Sequence, residues 1–138
     1  MMPRVSRILE SSLYVADLLR SERFYAETFG FGTFLQDHRM VAMGVPGEGV
    51  LLLFRIGGSV QPSPTSGGVI PPHDGRGIQH VCFAIPLASL DEWVRHLERC
   101  GIALESRVVQ AHGGTSLYFR DPDGHSLEVA TPGLWPNY

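Results

Sequence analysis

One pattern is written twice along this chain, and it leaves few ways to fold. In the first copy, residues 8–56, a strand-like run ILESSLYV leads into ADLLRSERFYAETFG. There Leu18, Tyr25 and Phe29 share one helical face between a capping Asp17 and a terminating Gly30. Three strand-like runs follow: FGTFLQ, RMVAMGV and GVLLLFRI. The second copy, residues 78–132, restarts the order with GIQHVCFAI and the amphipathic SLDEWVRHLERCG. Ser89 and Glu92 have the spacing of a capping box, Leu90, Trp93, Val94 and Leu97 recur at helical intervals, and Gly101 ends the helix. ALESRVVQ, TSLYFR and HSLEVAT supply three more strands. Two βαβββ modules predict one α+β domain over residues 1–138, with the Gly/Pro/Ser-rich segment 57–77 read as the linker.

Strand alternation then sorts the unusual polar residues. Glu128 shares a face with Ser126 and Ala130, while Leu127 and Val129 occupy the other. His80 lies with Cys82 and Ala84, opposite Val81, Phe83 and Ile85, and Glu10 lies with Ser12 and Tyr14, opposite Leu9, Leu13 and Val15. Each of these strands therefore has a bulky apolar face for the core and a second face with one metal-competent side chain.

The turn DPDG fixes the pairing of the last two strands. A three-residue loop, Pro122-Asp123-Gly124, closed by a left-handed glycine, sets Ser126 against Arg120 and Glu128 against Tyr118. A four-residue loop sets Glu128 against Leu117, which conflicts with the apolar alternation. The shorter loop puts Glu128 in a polar cavity with Tyr118 and Arg120, so the charge is not stranded in apolar surroundings.

Glu10, His80 and Glu128 together form a candidate site for one divalent cation, with oxygen and nitrogen ligands and open positions for water or substrate. Glu10 and His80 occupy equivalent places in the two modules. The position equivalent to Glu128 in the first module aligns with Leu52, to within one residue. Tyr14 and Cys82, which share these faces, are candidate substrate contacts. Arg120 either attracts an anionic substrate group or pairs with Asp121 or Asp123. His73 and His112 are loop histidines that either reach the cavity mouth or, as loop histidines more often do, stay solvated, while His38 and His96 are read as surface residues and His125 as belonging to the turn or the opposite face.

A net charge of −3 gives no electrostatic reason for nucleic acid or an anionic membrane as partner. No apolar run approaches the roughly 20 residues of a spanning helix. The opening MMPRVSRILESS has no apolar signal core, and Cys82 and Cys100 are unclustered, so the expectation is a reduced, cytoplasmic protein acting on a small molecule.

The paired modules, LYVADLLRSERFYAETFGF after the first candidate ligand, GIQHVCFAI at the second and GGTSLYFRDPDGHSLEV at the last resemble the vicinal oxygen chelate superfamily. That superfamily includes glyoxalase I, type I extradiol dioxygenases, fosfomycin-modifying enzymes, methylmalonyl-CoA epimerase and bleomycin-binding proteins. The resemblance implies a cupped eight-stranded mixed sheet around one metal ion, helices outside, and commonly a homodimer. Its ligand positions fall on Glu10, His80 and Glu128. Glu10 stands where many relatives have His, and Leu52 where glyoxalases and epimerases have a fourth ligand. Those departures weaken a direct glyoxalase or dioxygenase assignment. Tyr118, ten residues before Glu128, matches a tyrosine that lies beside metal-bound substrate in dioxygenases and fosfomycin transferases. Its phenol either donates to a substrate oxygen or rests at the core edge with its hydroxyl in water.

The expected function is a metal-dependent lyase, isomerase or dioxygenase that chelates a small oxygen-rich or aromatic substrate through neighbouring oxygens, with Tyr118 and Glu128 as catalytic residues. The metal is left open among iron, manganese, zinc, nickel and cobalt. The rival reading is a ligand-sequestering protein of the bleomycin-resistance kind. Against it stand the retained ligands and the want of an aromatic clamp, with Trp93 on the core face of a helix and Trp135 in a tail.

Overall fold

A computed structural model describes residues 1–47 and 49–138. Each module forms its own four-stranded mixed sheet, and the chain divides into two compact units, Met1–Arg76 and Gly77–Tyr138.

In the first unit β1 (Glu10–Val15) leads into α1 (Leu18–Phe29), followed by β2 (Gly32–Gln36), β3 (Met40–Val45) and β4 (Gly49–Arg55). The strand order is β1-β4-β3-β2, with β1 parallel to β4 and the other pairs antiparallel. Asp17 accepts a hydrogen bond from the Arg20 amide at 3.1 Å, and Gly30 ends α1 at φ +72°. Both helix ends are therefore made by the residues expected. Leu13, Val15, Val41, Met43, Leu51 and Leu53 are buried on one face of the sheet. On the other, Ala42, Leu52 and Phe54 form a smaller cluster with Tyr14, Met40 and Val50 against it. The first strand starts two residues later than its apolar pattern, and Ile8 and Leu9 remain exposed.

Segment 57–77 does more than connect. It contains a short hairpin, β5 (Ser63–Thr65) and β6 (Gly68–Ile70), and its later part folds back onto the first unit. The His73 amide donates to the Ser59 carbonyl at 2.9 Å, and the His73 ring meets Phe54 edge-on, 4.4 Å between centroids. A hydrogen bond and an aromatic contact between residues 14 and 19 positions apart order a stretch whose composition reads as loop.

The second unit comprises β7 (His80–Ala84), α2 (Leu90–Arg99), β8 (Ser106–Val109), β9 (Thr115–Arg120) and β10 (Ser126–Ala130), in the order β7-β10-β9-β8. Its core includes Leu97, Leu117, Phe119, Leu127 and Val129, all essentially inaccessible. The expected capping box does not form. Residues 87–89 are a 3₁₀ turn, and the Ser89 hydroxyl donates back to the Pro86 carbonyl at 2.8 Å instead of capping α2. The tight turn before α2 uses up the side chain that the capping pattern assigned to the helix.

Candidate functional site

The β9–β10 hairpin has the register that the three-residue loop demands. Ser126 faces Arg120, Leu127 faces Phe119 and Glu128 faces Tyr118. Gly124 takes φ +83°, a conformation that costs a residue with a Cβ, and its amide donates to the Asp121 carbonyl at 3.0 Å. The Asp121 carboxylate stiffens the turn by accepting from the amides of Asp123 and His125 at 3.0 and 2.9 Å.

On its other edge β10 runs parallel to β7, with Ser126 opposite His80 and Glu128 opposite Cys82. Glu128 thus lies mid-sheet between Cys82 and Tyr118. This central position explains why its residue surface is only 4% exposed although its face is polar.

The His80 ring is held in one orientation. Its Nδ1 lies 2.8 Å from the Ser126 carbonyl, which can only accept, so Nδ1 donates there and Nε2 is the nitrogen turned toward Glu128. That Nε2 is 3.3 Å from Glu128 Oε1, while Glu128 Oε2 is buried with no hydrogen-bond partner. A ring nitrogen and a carboxylate turned toward each other, with the other imidazole nitrogen tied to a carbonyl, is the donor arrangement that suits a divalent cation. Leaving the carboxylate without one exposes the full cost of a buried polar atom. Within each unit, among the described residues, no group of three or more His, Cys, Asp or Glu side chains is arranged to hold a metal ion.

Tyr118 lies alongside His80, with ring centroids 6.4 Å apart and planes 24° from parallel. Its hydroxyl is 3.3 Å from the Gln110 amide nitrogen, which also donates to Ser116 Oγ at 2.9 Å. Cys82 is partly open to solvent, but burial and then the Glu128 carboxylate push its thiol up to about 12. At that value the sulfur is a wall contact and a poor nucleophile.

A cavity of about 630 Å³ joins these residues. His80, Cys82, Tyr118 and Glu128 line it with Gln110, and His112, Leu134 and Trp135 contribute as well. By sequence Trp135 reads as a tail residue, and of the two readings of His112 the one at the cavity mouth is the one the structure has. Only the packing of the 110–114 loop against residues 131–134 brings them here, and the paired glycines of QAHGGTS were the available signal. A Cβ on Gly114 would sit 2.7 Å from the Thr131 carbonyl oxygen.

Arg120 is placed elsewhere. Its guanidinium forms a forked pair with Glu105, at 2.7 and 3.1 Å, and donates to the Gly124 carbonyl at 3.1 Å. It is absent from the cavity lining, and its partner is Glu105 rather than Asp121 or Asp123. His125 is buried below the turn, where its Nδ1 accepts from the Gln79 amide at 2.9 Å.

Tyr14 and Glu10 belong to the first unit. The Tyr14 hydroxyl lies 2.6 Å from His73 Nδ1, and its ring stacks near Phe54. Burial and then the charge of Asp74 hold its phenol above the usual range. Glu10 pairs with Val50 as His80 pairs with Ser126, and Ser12 with Leu52 as Cys82 with Glu128. The register thus makes Glu10 the equivalent of His80 and Leu52 the equivalent of Glu128. Leu52 belongs to the apolar cluster and offers no ligand.

The sequence profile of the Glyoxalase/Bleomycin resistance protein/Dioxygenase superfamily matches residues 4–129. Over its whole length the chain is similar to a lactoylglutathione lyase from Agrobacterium tumefaciens, with 34% identity, a TM-score of 0.88, and coverage of 97% of this chain and 99% of that one. Shorter stretches match the metallothiol transferase FosB of Shouchella clausii, 41% identical over 58 residues, and of Staphylococcus saprophyticus, 36% identical over 56. Those matches span 40% of this chain and 39% and 37% of the two relatives.

Proposed function

Because the chain belongs to the Glyoxalase/Bleomycin resistance protein/Dioxygenase superfamily, we propose that it is a metal-dependent enzyme for a small substrate carrying two neighbouring oxygens. The observation that carries this reading is the His80–Glu128 pair: Nε2 and Oε1 at 3.3 Å, Nδ1 tied to Ser126, and Oε2 buried without a partner. His80 and Glu128 are two ligands, and Glu10, at the position equivalent to His80, is the third. Leu52 excludes a fourth from the first module. A bound divalent ion would act as a Lewis acid toward the two substrate oxygens.

The chain's own residues supply the rest. Tyr118, steadied by Gln110 and the His80 ring, donates its hydroxyl proton to a substrate oxygen on which charge develops. The Glu128 carboxylate, which borders the cavity, receives a proton from the substrate. Cys82 and Val81 bound the substrate on the β7 side. An isomerase or lyase reaction is favoured over ring-cleaving oxygenation, since Glu10 replaces the first histidine and the full-length likeness is to a protein named as a lyase. The working state is a homodimer in the cytoplasm.

A second reading has one observation in its favour. Trp135 lines the cavity, so a protein that sequesters an aromatic ligand without turning it over has a wall to use.

The test is elemental analysis of protein purified without added metal or chelator, beside Glu10→Ala, His80→Ala and Glu128→Ala. About one transition-metal ion per chain, lost in the variants, is expected. Metal-free protein that takes up none on reconstitution overturns the enzyme reading and leaves sequestration.

A further inference from the structure

The cavity has a second half that the chelating residues do not use. Beyond His80 and Glu128 it is bounded by Leu134 and Trp135, and these two residues, with His112, also line an adjoining hollow of about 430 Å³. Gly133 and Pro136 complete that hollow. No Asp, Glu, Lys or Arg contributes to its walls.

Trp135 is 66% exposed, yet the segment bearing it is fastened on both sides. The Tyr138 hydroxyl donates to the Ala130 carbonyl at 2.6 Å and accepts from the Ile85 amide at 3.1 Å. The Tyr138 amide donates to the Trp135 carbonyl at 3.1 Å. Upstream, Thr131 Oγ1 accepts from the Thr115 amide at 2.7 Å. Gly113, Gly114 and Gly133, all at positive φ, let the loop and the terminal segment approach backbone to backbone. A large, rigid aromatic surface is thereby kept open to solvent at the edge of a cavity. That is the composition of a ligand wall, apolar and aromatic with polar groups confined to one end.

We propose that Trp135, Leu134 and His112 form a subsite for a neutral planar ring on the ligand whose oxygens reach His80 and Glu128. The subsite rests on reading this cavity as a ligand site, but not on a metal being present. The hollow admits a one- or two-ring arene, and its uncharged walls favour an uncharged one.

The experiment uses chelator-treated full-length protein and 2-naphthol. Equilibrium dialysis should show saturable binding of about one molecule per chain. Trp135→Ala should weaken it about tenfold and Leu134→Asp similarly, while Trp135→Phe stays within about threefold of wild type. In Trp93→Phe protein, 2-naphthol should quench the remaining Trp135 emission with the same midpoint. Absence of saturable binding, or binding that Trp135→Ala leaves unchanged, overturns the subsite. Trp135 emission that shifts on dilution without ligand also overturns it, by showing the indole covered by a second copy. Since no step requires metal, failure of the metal reading appears separately in the elemental analysis.

Discussion

Glu128 keeps only 4% of its surface open and leaves one oxygen without a hydrogen bond. Such a group lowers stability until a cation compensates it, a conflict expected at functional sites. Glu128→Gln removes the formal charge at nearly constant volume. In metal-free protein it should leave the melting temperature unchanged or raise stability by roughly 1 kcal/mol, while metal retention falls at least about tenfold. Calorimetry and elemental analysis of one preparation check both. Arg120 gives the opposite case, a pair in solvent. Its hydrogen bond to Glu105 holds that carboxyl below its ordinary range. A carboxyl lowered on folding contributes stability above its unfolded pKa and loses it as pH falls through the folded value. Arg120→Ala should therefore cost little at neutral pH, both groups being solvated, and the difference from wild type should close on acidification. Thermal scans across pH read this. Alternation along β10 was enough to place Glu128, because side-chain direction in a strand is local. It could not place the guanidinium of Arg120, whose long side chain chooses among partners brought near by other strands.

At the scale of elements, the two helix starts show what local pattern can decide. Asp17 caps α1 as its sequence implies. Ser89 has the capping spacing, but its hydroxyl turns to Pro86 in the preceding 3₁₀ turn. Ser89→Ala should then cost less than the ~1 kcal/mol of a lost cap, as measured by denaturant unfolding. The 110–114 loop is more demanding. Gly114 has φ +80°, and an added Cβ would meet the Thr131 and Pro132 carbonyl oxygens at 2.7 and 2.9 Å. Gly114→Ala should lose about 2 kcal/mol or more and shift Trp135 emission as the terminal segment moves away. The sequence marks both glycines, yet the segment they approach, residues 131–134, lies about 20 residues further along. The β9–β10 hairpin is what brings that segment back to the loop.

For the molecule as a whole, both modules repeat one order of strands, but among the described residues only the second carries a His–Glu pair at its sheet centre. Among the described residues no helix is long and apolar enough to cross a membrane. If a cation completes the site, it binds the native state alone and stabilises it by mass action. At 100 times its dissociation constant the gain is about 2.7 kcal/mol, or several degrees in melting temperature, and Glu128→Ala should abolish it. By itself the sequence determined the duplicated βαβββ order, the helix ends at Asp17, Gly30 and Gly101, the hairpin register at Pro122-Asp123-Gly124, and the strand face that His80 and Glu128 share. All of these follow from backbone geometry over a few neighbouring residues. Tertiary structure alone decided that Arg120 is engaged by Glu105, that the later part of segment 57–77 packs on Phe54, and that Trp135 and His112 reach the cavity. Those outcomes depend on distant segments meeting, and one-dimensional periodicity carries no information about which of several chemically suitable partners will arrive.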